Sequence, residues 1–223
     1  MIVADSSYKL ETKPDAKAVY EMIESVGRTC YQSTAKDIEG HGERFVRSIV
    51  KRGHFGLLEH VLLTVRFEVD RGITHEIVRH RHGSFAQEST RYCNYSMGKF
   101  SHNTTVINID SALENDTTMT ADERFEAWKV WMEGCKDAEK RYFRLLELGV
   151  TPQVARGVLP TSLKSELVMT ANLREWRHFL ALRTLELTGP VHPQMLEVTR
   201  PLYRELLELY PAVFEGIDRR DID

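Results

Sequence analysis

The stretch that decides the fold is residues 61–81, which read VLLTVRFEVDRGITHEIVRHR. Over residues 61–69, apolar and polar side chains alternate, and this period of two predicts a strand with one wet face. An Asp-Arg-Gly turn at residues 70–72 leads into residues 73–81, where we predict a short helix. The end of that helix would carry Arg79 and Arg81, so the predicted sheet leads directly to a group of cations.

Two guanidinium groups and two imidazoles occupy four consecutive positions here, Arg79, His80, Arg81 and His82. Cations packed this closely repel one another. Glu76 precedes Arg79 by three residues, so on a helix the two side chains could pair. The group as a whole still predicts a binding site for an anion from outside the segment.

The residues after Gly83 have no helical apolar period, which leaves an extended segment open. Alternate side chains would then share one face, with neighbours about 6.5 to 7 Å apart. That face would hold Phe85, Gln87, Ser89 and Arg91. Its arginine could bind a phosphate through two parallel hydrogen bonds, while the serine and the amide reach a sugar or a base. A solvated basic turn is the alternative interpretation.

The motif Arg79-His80-Arg81, seven residues, then Ser89-Thr90-Arg91 resembles the signature of flavin-dependent thymidylate synthases. Similarity extends from about Arg28 to His192 and includes Val-Ala-Arg at 154–156, followed by Leu-Pro at 159–160. The resemblance implies conversion of deoxyuridine monophosphate (dUMP) to thymidine monophosphate (dTMP). Methylenetetrahydrofolate would give the carbon, flavin adenine dinucleotide (FAD) would pass the hydride, and NADPH or NADH would supply the electrons.

The resemblance also implies roles for individual residues. The flavin would be contacted by Arg79, His80, Arg81, Gln87, Asn172, Arg174 and His178. The nucleotide would be contacted by Glu76, Ile77, Val78, Arg79, Gln87, Glu88, Ser89, Thr90, Arg91, Arg156 and Arg183. The catalytic residue would be Arg183, which matches the arginine that activates the uracil ring. Gln87 stands where an acid is common in the family, and His178 stands where an asparagine is common.

Arg183 is also unusual on the residues alone. A helix predicted from the Asn172 cap to Leu187 has an apolar stripe, and Arg183 occupies a position where a leucine is expected. Burying a guanidinium without a partner lowers the free energy of unfolding by on the order of several kcal/mol, as for other buried ions. The side chain would therefore snorkel to solvent, pair with a carboxylate, or bind an anionic ligand.

The same helix predicts sites shared between subunits. Arg174 and Arg183 are nine residues apart, which is about two and a half turns, so they point to opposite sides about 13 Å apart along the axis. We expect neighbouring chains of a homo-oligomer to exchange them, and the resemblance implies a homotetramer. A kink near Ala181 is the competing explanation.

The 223 residues, 42% of them hydrophobic and 28% charged, predict one domain over residues 1–223. We predict the α+β class, with a mostly antiparallel twisted sheet packed against long helices. Alternation or helical spacing predicts further strands at 2–4, 103–109 and 166–171, and further helices at 14–26, 42–52, 120–148, from 151, and from 193.

Three separated cysteines, Cys30, Cys93 and Cys135, indicate a reducing compartment and no zinc knuckle. Cys30 and Cys135 are predicted to pack against the core, and no cysteine is predicted to act as a nucleophile. The sequence has no apolar run approaching the roughly 20 residues of a membrane span, so we expect a cytoplasmic protein without a membrane partner.

Two other functions are alternatives to a flavoenzyme. A metal-dependent hydrolase could use His75, His80 and His82 with Glu76, but the adjacent arginines would repel a divalent cation, so no metal is expected. A non-catalytic nucleotide-binding or RNA-binding module is disfavoured by the formal net charge of −3, and no nucleic-acid partner is expected. His54 and His60 remained equally open to a ligand role and to a role as satisfied loop residues.

Overall fold

The computed structural model describes residues 1–30, 32–33 and 40–222. Its strands are β1 (Ile2–Ala4), β2 (Ser7–Leu10), β3 (Leu62–Asp70), β4 (Ser84–Gln87), β5 (Thr105–Ile107) and β6 (Lys164–Asn172). Its α-helices are α1 (Ala16–Thr29), α2 (His41–Lys51), α3 (Arg71–Ile77), α4 (Asp110–Glu114), α5 (Ala121–Glu147), α6 (Pro152–Ala155), α7 (Leu173–Arg183), α8 (Pro193–Leu209) and α9 (Pro211–Phe214). Short 3-10 turns lie at Phe55–His60, Gly98–Phe100, Arg156–Val158 and Arg219–Asp221.

The main sheet has four strands in the order β2-β3-β6-β4 and is antiparallel. Alternate residues of β3 and β6 are buried, as a sheet with one packed face requires. A separate parallel pair joins β1 to β5, with Ile2 beside Thr105. Strands and long helices together confirm the predicted α+β class.

Internal contacts divide the chain into two compact units. The first contains residues 1–7, 67–79 and 86–167, and the second contains residues 8–66, 80–85 and 168 onward. The predicted single domain over residues 1–223 stays a prediction.

The first unit contains the long helix α5. Thr120 and Glu123 form the predicted capping box at its start. Met132 and Tyr142 are buried, whereas 59% of the surface of Phe125 near the start of the helix is exposed.

The second unit packs α1, α2, α7 and α8 through apolar side chains. Val19, Ile23, Val46 and Ile49 are almost completely buried on the first two helices. The start of α7 is tied to β3, because the amide of Leu173 donates to the carbonyl oxygen of Val61 at 3.0 Å. Cys30 was wrongly predicted to pack in this unit, and its side chain is exposed.

The helix predicted at residues 73–81 begins and ends earlier, at Arg71 and Ile77. Asp70 causes the early start, since its carboxylate accepts a hydrogen bond from the amide of Ile73 at 2.7 Å. The motif arginines therefore lie in the turn that follows the helix. Helix α7 likewise ends at Arg183, four residues before the predicted end.

Only the first part of the segment after Gly83 is extended. Strand β4 ends at Gln87, and the chain then turns, because the amides of Tyr92 and Cys93 donate to the carbonyl oxygen of Ser89. Arg91 consequently lies in a turn and not on the strand face of Gln87. In the part of the chain that the structure describes, no helix has the length and apolar character of a membrane span.

Candidate active site

The second unit contains a cavity of about 380 Å³, within the range of about 300 to 1,000 Å³ for ligand pockets. Its lining combines cations, an amide, three carboxylates and aromatic rings. The lining residues include Phe55, Glu59, His82, Asn172, Arg174, Glu175, His178 and Asp221.

The cap and the first two turns of α7 supply Asn172, Arg174, Glu175 and His178 to the polar lining. Asn172 caps the helix, since its side-chain oxygen accepts from the amide of Glu175 at 2.8 Å. Arg174 is exposed and pairs with Glu59 at 2.7 Å. His178 donates from Nδ1 to the carbonyl oxygen of Asp221 at 2.8 Å, so its Nε2 carries the lone pair of the neutral ring. Three residues predicted to contact the flavin are therefore grouped in one cavity.

One wall of this cavity is held by a buried ion pair. Arg177 is fully buried and donates to both carboxylate oxygens of Asp221, at 2.6 and 3.0 Å. It also donates to the carbonyl oxygens of Val213, Glu215 and Gly216. These acceptors offset the desolvation of the guanidinium. The segment around Asp221 is consequently fixed against α7.

His80 is bound on both ring nitrogens. Arg183 donates from Nε to His80 Nε2 at 3.2 Å, and His80 Nδ1 lies 3.1 Å from a carboxylate oxygen of Glu175. A guanidinium can only donate, so Nε2 must be the acceptor and Nδ1 must carry the proton. Arg183 is half-buried, and its hydrogen bond to a histidine was not among the three alternatives for this position.

The histidine cluster differs from the one weighed for a metal site. His80, Glu175 and His178 offer ligand atoms within 4.8 Å of one another, whereas His75 and His82 are exposed. If His80 also bound a metal through Nδ1, both of its nitrogens would need lone pairs, which requires an imidazolate beside Glu175. The contact from Arg183 therefore disfavours a metal at this cluster.

The first unit contains a second cavity, of about 270 Å³. Its lining includes Arg71, His75, Thr90, Arg156 and Thr161. Arg156 donates from Nη1 to the hydroxyl of Thr90 at 2.9 Å. Nη1 of Arg71 is buried and has no hydrogen-bond partner among the residues the structure describes. A buried donor of this kind is usually completed by an ordered water or an ion.

The structure explains why residue 87 is a glutamine and not an acid. Its amide nitrogen donates to the hydroxyls of Thr74 at 2.9 Å and Ser165 at 3.2 Å. The Thr74 hydroxyl already donates to the carbonyl oxygen of Arg71, so it can only accept from residue 87. A carboxylate could not donate to it.

The residues that follow Gln87 are fixed one by one. Glu88 accepts from the phenol of Tyr95 at 3.0 Å. Burial, and then the nearby Glu88 carboxylate, raise the pKa of Tyr95 well above its usual range, which keeps the phenol a donor. Arg91 is exposed and donates from Nε to Gln153 at 3.0 Å.

Other predicted site residues differ in accessibility. Ile77 is completely buried, so neither its side chain nor its backbone is accessible for a direct contact with a nucleotide. Arg79 and Arg81 are exposed, while Glu76 and Val78 are half-buried. His54 and His60 are exposed at the start and end of a 3-10 turn.

Arg71, Glu175 and Arg177 were not identified as site residues from sequence, and neither were the lining residues Phe55, Glu59 and Asp221. The charge of Arg71 directly after the capping residue Asp70 was an available signal, as was the position of Glu175 next to Arg174. Their partners are too distant in sequence for spacing to identify.

Comparison with known proteins gives consistent matches. A family model described as thymidylate synthase complementing protein matches residues 14–212. A flavin-dependent thymidylate synthase from Mycobacterium sp. (strain JLS) is 31% identical over 221 residues, covering 92% of this chain and 82% of that protein. One from Corynebacterium efficiens is 34% identical over 182 residues, covering 77% of this chain and 70% of that protein.

The fold also matches a solved structure. The crystal structure of a UMP/dUMP methylase, PolB from Streptomyces cacaoi bound with 5-Br dUMP, has a TM-score of 0.76 and 23% identity. The match covers 96% of each chain. It shows that the two chains share a fold.

The contacts of Gln87 generate a prediction. Gln87→Glu should lower the free energy of unfolding by about 1 to 3 kcal/mol, because a partly buried carboxylate would face a hydroxyl oxygen that cannot donate to it. Urea denaturation measures the change. Gln153→Glu is the matched control on an exposed glutamine and should change stability little. Equal stability of the two variants would contradict the assignment of Gln87 as a donor.

Proposed function

Because the chain belongs to the family of flavin-dependent thymidylate synthases, we propose that it converts dUMP to dTMP using bound FAD, methylenetetrahydrofolate as carbon donor and NADPH or NADH as electron source. Family membership confirms the predicted enzyme class, and neither alternative function is favoured. The observation that carries the residue assignments is the pair of cation-lined cavities, one in each unit.

The cavity of the second unit fits a flavin. Arg174 offers a guanidinium to a phosphate, His178 presents Nε2, and Phe55 supplies an aromatic ring beside them. We assign Asn172, Arg174 and His178 to this cofactor, together with His80, whose ring packs edge-on to His178 at a centroid distance of 5.6 Å. When bound, the flavin supplies hydride transfer.

The cavity of the first unit fits the phosphate of dUMP. Arg156 and Arg71 contribute two guanidinium groups, and the Thr90 hydroxyl lies at hydrogen-bond distance from Arg156. Arginine binds phosphate through parallel hydrogen bonds, and the unpartnered Nη1 of Arg71 would gain an acceptor. Glu88, Ser89 and Arg91 are assigned to the nucleotide as the family motif implies, and the remaining residues of the motif keep their predicted roles.

We assign Arg183 to the uracil ring. A guanidinium facing the N3 and carbonyl edge in a site without water would stabilise negative charge on that edge and push electron density toward C5. A cysteine nucleophile has no part in this scheme. Cys135 is buried, and burial raises the pKa of its thiol, which disfavours the reactive thiolate.

The proposal extends to a homotetramer in the cytoplasm. Arg174 lines the cavity of the second unit, whereas Arg183 reaches His80 from the last residue of α7. Helix α7 continues through Ala181 to Arg183 without interruption. The two arginines are therefore about two and a half turns apart, which favours exchange of side chains between neighbouring subunits.

The first test of the function uses the colour and the product. The purified protein should be yellow, should bleach with NADPH or NADH, and should form dTMP from dUMP and methylenetetrahydrofolate. A variant with alanine in place of all three cysteines should retain turnover if it folds. A colourless protein that forms no dTMP would refute the proposal, and loss of turnover in a folded Cys93→Ala variant would refute the absence of a nucleophilic cysteine.

The phosphate assignment predicts a difference between dUMP and deoxyuridine. Arg156→Met and Arg71→Met should each weaken dUMP binding by about 2 to 5 kcal/mol, the range for truncating one partner of a desolvated charge pair. Calorimetry should show little change in deoxyuridine binding, because that ligand lacks the phosphate. Arg144→Met, on an exposed arginine paired with Glu147, is the control. Equal weakening of both ligands would contradict the assignment.

Subunit mixing tests the shared sites. Arg174→Ala and Arg183→Ala are each expected to be inactive alone, while a mixed oligomer should regain activity because some sites would receive both native arginines. Native mass spectrometry would show whether the oligomer is a tetramer. An active monomer, or mixed oligomers without activity, would count against shared sites.

A further inference from the structure

We infer that Glu175 is a positioning residue for Arg183 and acts through the tautomer of His80. The inference rests on the proposed role of Arg183 at the pyrimidine and adds a residue to it. The three side chains form one line of hydrogen bonds, from the Arg183 Nε through the His80 ring to the Glu175 carboxylate.

The tautomer follows from the chemistry of the two partners. The Arg183 guanidinium has no acceptor, so His80 must offer a lone pair at Nε2. A neutral imidazole with a lone pair at Nε2 carries its proton at Nδ1, and Glu175 accepts that proton in a hydrogen bond. Without this acceptor, His80 could place its proton on Nε2, where it would oppose the Arg183 N–H.

The tautomer of His80 matters because the ring and its partner Glu175 are buried. His80 and Glu175 are both about 5% exposed, so water cannot easily replace either partner. The ring plane of His80 is also held by packing, edge-on to Phe179 at a centroid distance of 4.8 Å. With the ring fixed, the tautomer decides whether His80 can accept a hydrogen bond from Arg183 Nε.

Glu175 occupies a position that is favourable for an acidic side chain. It lies in the first turn of α7, where the partial positive charge of the helix N-terminus stabilises an anion. Its backbone amide is used by the Asn172 cap, while its side chain is directed at His80. The carboxylate is thus placed to accept a hydrogen bond from His80 Nδ1.

Arg183 is held from two directions. Its backbone carbonyl oxygen accepts from the buried hydroxyl of Thr199 at 2.7 Å, and its side chain donates from Nε to His80. Donation from Nε fixes the plane of the guanidinium, and with it the direction of both terminal amino groups. Glu175 therefore sets the geometry of a group that we assign to the reacting ring.

The experiment combines nitrogen NMR with kinetics on the holoenzyme. Nitrogen-15 shifts of labelled histidine distinguish protonated from unprotonated ring nitrogens, and a His80→Gln spectrum assigns His80 by difference. Wild-type His80 should show a protonated Nδ1 and an unprotonated Nε2. Glu175→Leu should abolish that pattern, whereas Glu175→Gln, whose amide oxygen can still accept, should largely preserve it.

Glu175→Leu should also lower kcat about 10- to 100-fold, because a misplacement of about 1 Å can cost that much. The KM for dUMP should change much less, and Glu175→Gln should recover most of kcat. A stability defect alone would not produce this pattern. Glu59→Leu, which removes another carboxylate from the same cavity, is the control for the NMR signal and should leave the His80 tautomer unchanged.

A protonated Nε2 in the wild type, or an unchanged His80 pattern in Glu175→Leu, would overturn the inference. If Glu175→Leu fails to fold, an altered tautomer in Glu175→Gln with full kcat would overturn it equally. Failure of the proposed function is a separate result, since the wild type would then form no dTMP while the NMR pattern of His80 stayed as expected.

Discussion

The second unit depends on the burial of the Arg177 guanidinium. Taking a permanent charge out of water costs on the order of several kcal/mol. Only a close opposite charge and hydrogen bonds can offset this cost. Asp221 and three carbonyl oxygens provide them, and the segment that supplies these acceptors is thereby fixed. The carbonyl oxygen that accepts the hydrogen bond from His178 Nδ1 belongs to Asp221 itself. A wall of the candidate flavin cavity therefore follows from satisfying one buried cation.

Helix α7 has several functions because its faces have different partners. Trp176 is completely buried and donates from its indole nitrogen to the carbonyl oxygen of Leu63 on β3 at 3.1 Å, which anchors the helix to the sheet. Arg174 and His178 line the cavity, while Glu175 is directed at His80. One rigid helix thus sets the relative positions of groups assigned to the cofactor and to the catalytic arginine.

The arginines of this chain divide according to whether their charge is already satisfied. Arg66 is paired with Glu11, and Arg177 with Asp221, so both have structural partners within the second unit. Arg71 in the first unit differs, because its buried Nη1 lacks an acceptor in the described structure. A buried donor left unmatched is costly, so an anion or a water bound at this position would stabilise the chain. This contrast separates the candidate phosphate site from the ordinary ion pairs.

The sequence alone determined the features that depend on neighbouring residues. Alternation identified β3, the capping residues Thr120 and Asn172 marked the starts of α5 and α7, and the arginine motif identified the family. Only the tertiary structure decided which acid meets which cation. His80 and Glu175 are 95 residues apart, and Arg177 and Asp221 are 44 apart. Local spacing carries no information about such pairs, because they are brought together by the packing of whole elements and not by the backbone period of any one element.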